Sequence, residues 1–186
     1  MGKRSFILGI ATLMIVLVSS CKKETAVSDD PNIVYKSLNR SWDVPAGTIS
    51  KDSLDLNNDG QIDLGAAIEY DGGDTGAVVL VGLHQSMEFA TASLMPFPYP
   101  ILYKSGELTP ITTASYSDYS YVGIKTHGYR IGLQGGDTYV VFRFTTGTKY
   151  QYGWMKLNVN NSFSKLTLVE YGYSLIPETA ISVGAK

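Results

Sequence analysis

The residues with the most definite chemistry lie between positions 55 and 63. The run Asp55-Leu56-Asn57-Asn58-Asp59-Gly60-Gln61-Ile62-Asp63 alternates oxygen-bearing side chains ahead of a glycine. That spacing lets several hard donors converge on one cation. Asp55, Asn57 and Asp59 would supply side-chain oxygens, Gly60 the sharp turn and Gln61 its carbonyl; Asp63 would add a direct or water-mediated contact, and Ile62 is expected to point into the core. The cation selected by such a set is Ca2+, in a structural role. The twelfth position of an EF-hand loop, where a bidentate Glu closes the shell, is Ala66 here. A strand rather than a helix is expected to follow, so this is not an EF-hand, and Glu69 or Asp71 is left to complete the shell. A metal-free turn accounts for the same residues, because Asn, Asp and Gly populate tight turns on their own.

Catalytic chemistry is sparse by comparison. The chain contains no G-x-S-x-G, H-E-x-x-H, G-x-x-x-x-G-K or dinucleotide G-x-G-x-x-G pattern. Its two histidines, His84 at the end of an apolar run and His127 in a Thr-His-Gly turn, read as ordinary polar residues. A glycosidase needs only two carboxylates about 5–10 Å apart, which leaves Glu69, Glu88, Glu107 and Glu170 as its candidates. No enzyme is expected on this reading.

Aromatic residues make a binding role easier to motivate. Thirteen tyrosines are unevenly placed, with Tyr99, Tyr103, Tyr116, Tyr119 and Tyr121 in or beside a proline-rich stretch. Aromatic faces stack on sugars and other flat ligands and lose little side-chain entropy in doing so. Glycan or surface-protein recognition is therefore the leading expectation. A structural envelope component without a small ligand comes second, and a glycan-active hydrolase third. The alternative for the tyrosines is half-burial at sheet edges with their hydroxyls in water.

The elements that must position these residues are strands. From Ile33 onward apolar residues recur with a period near two, in short runs separated by Gly, Pro, Asn or Asp. The spacing predicts strands over 61–70, 77–83, 87–92, 119–125, 128–133, 138–145, 150–159, 165–173 and 180–183, with no helix. Gly135-Gly136-Asp137, Thr146-Gly147-Thr148 and Asn160-Asn161-Ser162 supply turn residues. Residues 93–115, with Pro96, Pro98, Pro100 and Pro110, read as a long semi-rigid loop. The fold class expected is all-β, a single antiparallel, jelly-roll-like sandwich over 33–186.

What precedes the domain is a targeting segment. Lys3 and Arg4 form a basic start, Phe6 to Val18 an apolar run of 13 residues, short of the roughly 20 that a spanning helix requires. Val18-Ser19-Ser20-Cys21 resembles the lipobox of bacterial lipoproteins. That resemblance implies a signal peptide at 1–20, lipidation of Cys21 and a membrane anchor for the mature chain. Lys22 rather than Asp after the cysteine implies the outer membrane, on either its periplasmic or its outer face. Residues 21–32 are polar and aperiodic and read as a tether. No second cysteine exists, which excludes a disulfide framework. Without Lys3 and Arg4 the chain carries 13 basic against 17 acidic residues, singly scattered, so nucleic acid is not an expected partner.

Tyr150-Gln151-Tyr152-Gly153-Trp154-Met155-Lys156-Leu157-Asn158-Val159, then Tyr171-Gly172-Tyr173 and Thr179-Ala180-Ile181-Ser182-Val183-Gly184, complete the motifs. With the upstream D-x-N-x-D-G loop, this ending resembles that of a widespread group of secreted bacterial β-proteins. The resemblance implies an extracytoplasmic β-sandwich and carries no shared activity. On the residues alone, Trp154 reads as a core tryptophan of a central strand.

Overall fold

The computed structural model describes residues 29–73, 75–83, 87–94, 97–127, 129–132 and 136–186. The expected signal segment 1–20, the expected lipidation site Cys21, most of the expected tether and His84 lie outside the described residues. Among the described residues there is no helix, and two antiparallel sheets pack face to face.

The larger sheet runs, in spatial order, through β1 (Ile33–Asp43), β13 (Lys165–Ser174), β12 (Lys149–Val159), β11 (Gly136–Thr146), β5 (Glu88–Leu94) and β6 (Phe97–Pro100). Two short strands join it from the side, β7 (Leu102–Tyr103) on β11 and β8 (Ser115–Ser117) on β5. The smaller sheet is β10 (Tyr129–Gly132), β9 (Tyr119–Thr126), β4 (Gly76–Gly82), β3 (Leu64–Tyr70) and β2 (Thr48–Leu54). Strand alternation places Val140, Phe142, Met155, Leu157, Leu166 and Leu168 of the larger sheet against Leu64, Ile68, Val78, Leu80 and Val122 of the smaller. This inter-sheet layer is the main core.

Two register slips interrupt the larger sheet, and the one on β13 decides which of its side chains enter this core. Between β12 and β13 the register slips so that Lys156 faces Glu170 while Leu157 faces Leu168. The extra residue, Val169, lets both Leu168 and Tyr171 point inward, although strict alternation would put them on opposite faces. On β1 the slip between Ser37 and Arg40 sits beside Asn39 at φ 49°. Tyr35 on the outer face and Trp42 on the inner, seven residues apart and so opposed by alternation, are both buried.

The larger sheet has a second apolar layer on its outer face. Trp154, Val141, Ala90 and Tyr35 are covered there by Ile181 and Val183 of the C-terminal segment, with Tyr103 and Ala114 packed alongside. Backbone hydrogen bonds tie this cover together: Thr109 N–H donates to Ile181 O (2.9 Å), Val183 N–H to Glu107 O (2.7 Å) and Gly106 N–H to Val183 O (2.8 Å). The expected strand at 180–183 is therefore corrected. It makes a single bridge, Leu108 to Ser182, because the segment lies across a sheet face and has no sheet edge to extend.

The expected loop at 93–115 is corrected in the same way. Strands β5, β6, β7 and β8 occupy parts of it. Pro98 and Pro100 fall on β6, the terminal strand of its sheet, where a missing N–H costs no ladder bond. Strands β1 and β2 were not among those the spacing predicted. Their sequences mix Lys, Ser, Asn, Arg and Asp into the runs, since β1 and β2 are edge strands.

β2 is held to β1 by an ionic group. Asp52 accepts from the Trp42 indole N–H and from Arg40 Nη2 (2.5 Å). Partial burial pulls the Asp52 carboxyl up, but the donors of Trp42, Ser53 and Arg40 together outweigh it and hold it below the usual carboxylate range. A carboxyl depressed in the folded state stabilises the fold above its unfolded value of about 3.9, and the contribution is lost as pH falls through the depressed folded value. Asp52→Asn is therefore expected to lower the denaturant midpoint at neutral pH, with the gap from wild type closing below about pH 4.

Candidate functional site

The loop at 55–63 links β2 to β3, and its three aspartates and Asn57 bind the loop's own backbone. Asp55 accepts the N–H of Asn58 on Oδ1 (2.6 Å) and of Gly60 on Oδ2 (2.9 Å). Asn57 Oδ1 accepts Asp59 N–H (2.9 Å), and Asp59 Oδ1 accepts Gln61 N–H (2.8 Å). Asn57 Nδ2 donates to Asp59 Oδ2 (3.1 Å). Asn58 and Gly60 adopt positive φ, 61° and 87°, the turn geometry that Asn and Gly tolerate best.

These oxygens close on the loop's own backbone. Among the described residues no three His, Cys, Asp or Glu side chains gather into a group that could hold a metal ion. The expected calcium ligands Asp55, Asn57, Asp59, Gln61 and Asp63 are brought together in one loop. Gln61 is exposed and its N–H is spent on Asp59. The expected inward position of Ile62 is corrected: it is 43% exposed. Leu56 fills the core instead, and its carbonyl accepts the Tyr171 hydroxyl (2.7 Å) and Lys36 Nζ (3.3 Å). Asp71, a candidate to close the shell, caps its own turn through Gly73 and Thr75 N–H.

Asp63 behaves differently from its neighbours. It is only 5% exposed. Its Oδ2 accepts the N–H groups of Leu56 (2.8 Å) and Asn57 (3.4 Å), and its Oδ1 takes no hydrogen bond from the described residues. Burial pushes the Asp63 carboxyl above the usual carboxylate range, with the charges of Asp59 and Asp55 adding to the shift and the two N–H donors opposing it.

The five candidate tyrosines separate into two places. Tyr103 and Tyr116 belong to the outer layer of the larger sheet. There the Arg143 guanidinium lies 3.9 Å from the ring centres of both Tyr116 and Tyr150 and pairs with Glu88 (2.6 Å). The Tyr116 hydroxyl donates to Pro110 O (2.5 Å). These groups are satisfied within the fold.

Tyr99, Tyr119 and Tyr121 meet where β6 lies against β9. Tyr121 is edge-on to Phe97 (4.8 Å between centroids) and to Tyr119 (6.1 Å), and tilted to Tyr99 (6.5 Å). Tyr99 is buried, whereas Phe97 and Tyr119 are 38% and 39% exposed. Cross-strand register continues this patch over the outer face of the smaller sheet: Tyr121 pairs with Val79 and Tyr119 with Val81, and Leu83 folds over Gly65. Phe97 was not among the expected site residues. Its signal was alternation with Tyr99 in Phe-Pro-Tyr-Pro, masked by the prolines.

The candidate carboxylates are dispersed. Glu88 is taken by Arg143, and Glu107 accepts Lys104 N–H (2.9 Å). Glu170 holds the Tyr35 hydroxyl and Lys186 (3.2 Å), while Glu69 is exposed on β3. His127 is exposed at the β9–β10 turn.

Compared with protein-family models, with curated proteins and with solved structures, the chain has no significant match.

Proposed function

We propose that this protein is a lipid-anchored, extracytoplasmic binding module of the outer membrane that holds a glycan on the outer face of its smaller sheet, which the described residues leave uncovered. The observation that carries the reading is an asymmetry between the two sheets. The chain spends residues 101–114 and its C-terminal segment covering the outer face of the larger sheet. It leaves Phe97, Tyr119 and Leu83 exposed on the other side, beside Tyr121. A contiguous apolar patch of this kind marks an interaction surface. Its rings, held by mutual edge contacts, are already ordered, so stacking a sugar costs little further side-chain entropy. The anchor belongs to the same reading: the Val18-Ser19-Ser20-Cys21 motif and the polar tether after it suit a domain that meets polymers near a membrane.

The test is affinity electrophoresis of the full-length protein, in a non-ionic detergent, through gels containing soluble envelope or extracellular polysaccharides. Retardation by at least one polysaccharide is expected. Tyr121→Ala and Tyr119→Ala should each weaken it about tenfold, equivalent to about 1.4 kcal/mol, without changing the thermal midpoint by more than a few degrees. Retardation that survives both substitutions would remove this face as the site. Absence of retardation by any polysaccharide, with capture of a surface protein lost in the same variants, would favour protein recognition on the same patch.

A further inference from the structure

The chain enters the domain on the side opposite the proposed glycan face. Ile33, the first residue of β1, packs with the outer layer of the larger sheet, and just before it Asn32 O accepts the Leu175 N–H (2.7 Å). Around this entry point lies a groove of about 320 Å³. Asp30 and Asn32 line it together with Leu108, Ile176, Ala180 and Lys186. Leu108 and Ile176 are nonetheless turned outward: they are 64% and 45% exposed, and Leu175 next to Ile176 is 49% exposed.

These aliphatic side chains stand on a fixed backbone. Leu108 bridges to Ser182, Ile181 N–H donates to Thr109 Oγ1 (3.0 Å) and Ile176 N–H to Ser174 Oγ (3.0 Å). Their exposure is therefore built in by the strap that covers Trp154, and little backbone entropy is left to lose when they are covered. The charged residues of the same segments, Asp30, Lys104, Glu107, Glu178 and Lys186, carry no excess of positive charge. Lys186 is engaged within the fold, paired with Glu170 (3.2 Å) and lying over the Tyr35 ring (4.9 Å). What the surface offers is aliphatic area beside backbone groups that are already hydrogen-bonded, a combination suited to the interfacial zone of a bilayer.

We propose that the rim of this groove is a bilayer-contact face: Leu108 and Ile176, flanked by Leu175, insert at the surface of the membrane that anchors the chain, so that the glycan face points away from the lipid. The inference rests on the proposed lipidation of Cys21. Asp30 follows Cys21 by nine residues, which span at most about 30 Å when extended, roughly the diameter of a small domain. An anchor so close delivers the face on which the chain enters. Bringing the face across the sandwich to the same bilayer would require the tether to wrap around the domain. Tethering also raises the local concentration of lipid, so a few aliphatic side chains suffice where an untethered domain would need a larger patch. A surface without excess positive charge further implies that neutral lipid is enough.

The experiment is photo-crosslinking of the full-length protein in phosphatidylcholine vesicles doped with a phosphatidylcholine that carries a diazirine near the glycerol end of one acyl chain. Peptide mass spectrometry locates the adducts, and intact mass reports the lipid on Cys21. Adducts are expected on the peptides carrying Leu108 and Ile176 and not on the one carrying Tyr119 and Tyr121. Leu108→Gln combined with Ile176→Gln should lower the yield by about fivefold or more while leaving the thermal midpoint within a few degrees, because both side chains are exposed. Ile49→Gln, at a comparably exposed aliphatic residue of the smaller sheet (59%), should leave the yield unchanged. With lipid present on Cys21, adducts that are absent, spread evenly, centred on Tyr119 and Tyr121, or insensitive to the double substitution would overturn the bilayer face alone. Cys21 without lipid would overturn the anchor and the bilayer face together. Links between two copies at Leu108, in place of lipid adducts, would assign the groove to self-association and overturn the proposal as well.

Discussion

Replacing Trp154 by alanine is expected to lower the unfolding free energy by about 3–5 kcal/mol, the range for deleting a buried large aromatic side chain. Trp154 is fully buried, but in the outer layer rather than between the sheets. Its ring stands edge-on to Tyr139 (5.7 Å) and tilted to Tyr35 (6.2 Å), and lies over Gly172, where a Cβ would come within 3.1 Å of it. It is thus the platform on which Ile181 and Val183 sit. The alanine variant should both unfold at lower denaturant and expose the C-terminal segment to proteolysis under native conditions. Trp154→Phe should cost clearly less, because Nε1 has no hydrogen-bond partner among the described residues and no polar contact is lost. Equal losses in the two variants would show that the indole N–H is engaged after all.

The second large effect concerns Phe163 and the glycines beneath it. Phe163 sits in the β12–β13 turn at φ 60°, fully buried, with its N–H on Asn160 O (3.1 Å). The turn is built by Asn160, whose Oδ1 also accepts the N–H groups of Ser164 and Lys165. Its product is an aromatic plug from the larger sheet resting on Gly123 of β9 and Gly76 of β4. A Cβ on Gly123 would fall 2.0 Å from the Phe163 ring, and its three nearest neighbours all belong to that ring. Phe163→Ala should cost about 3–5 kcal/mol, and Gly123→Ala alone about 1–3 kcal/mol or more by overpacking. The two should be strongly non-additive: with the ring gone the added methyl has space, so the double variant should be no less stable than Phe163→Ala alone. Chemical denaturation of the four proteins measures the cycle. Simple additivity would mean that the glycine is required by its backbone and not by the ring.

Much of the architecture was legible in the residues. A period of two and Gly- or Asn-bearing turns are local properties, and the strands expected at 119–125, 138–145, 150–159 and 165–173 coincide closely with β9, β11, β12 and β13. Gly136 and Gly147 do take positive φ at their turns. At the third turn, however, the left-handed residue is Phe163 and not one of the asparagines, because burial of the ring outweighs the local backbone preference. Edge strands were harder to read: β1 and β2 face solvent enough to carry charges, and β6 tolerates prolines.

For the candidate sites, the sequence determined which chemistry was available: three carboxylates and three amides in one short loop and an excess of tyrosine near residues 99–121. Only the tertiary structure decided how these were used. Leu56 rather than Ile62 enters the core because the Tyr171 hydroxyl and Lys36 meet its carbonyl across the sandwich, contacts separated by 115 and 20 residues in the chain. The tyrosines divide because β6 and β8 leave β5 on different paths, one toward β9 and one beside it on the larger sheet. The bulge at Val169 redirects every side chain beyond it, and no local pattern announces it. Which face of a sheet is covered depends on long-range register. Local propensity is spent once the strands exist; register is set when they pair.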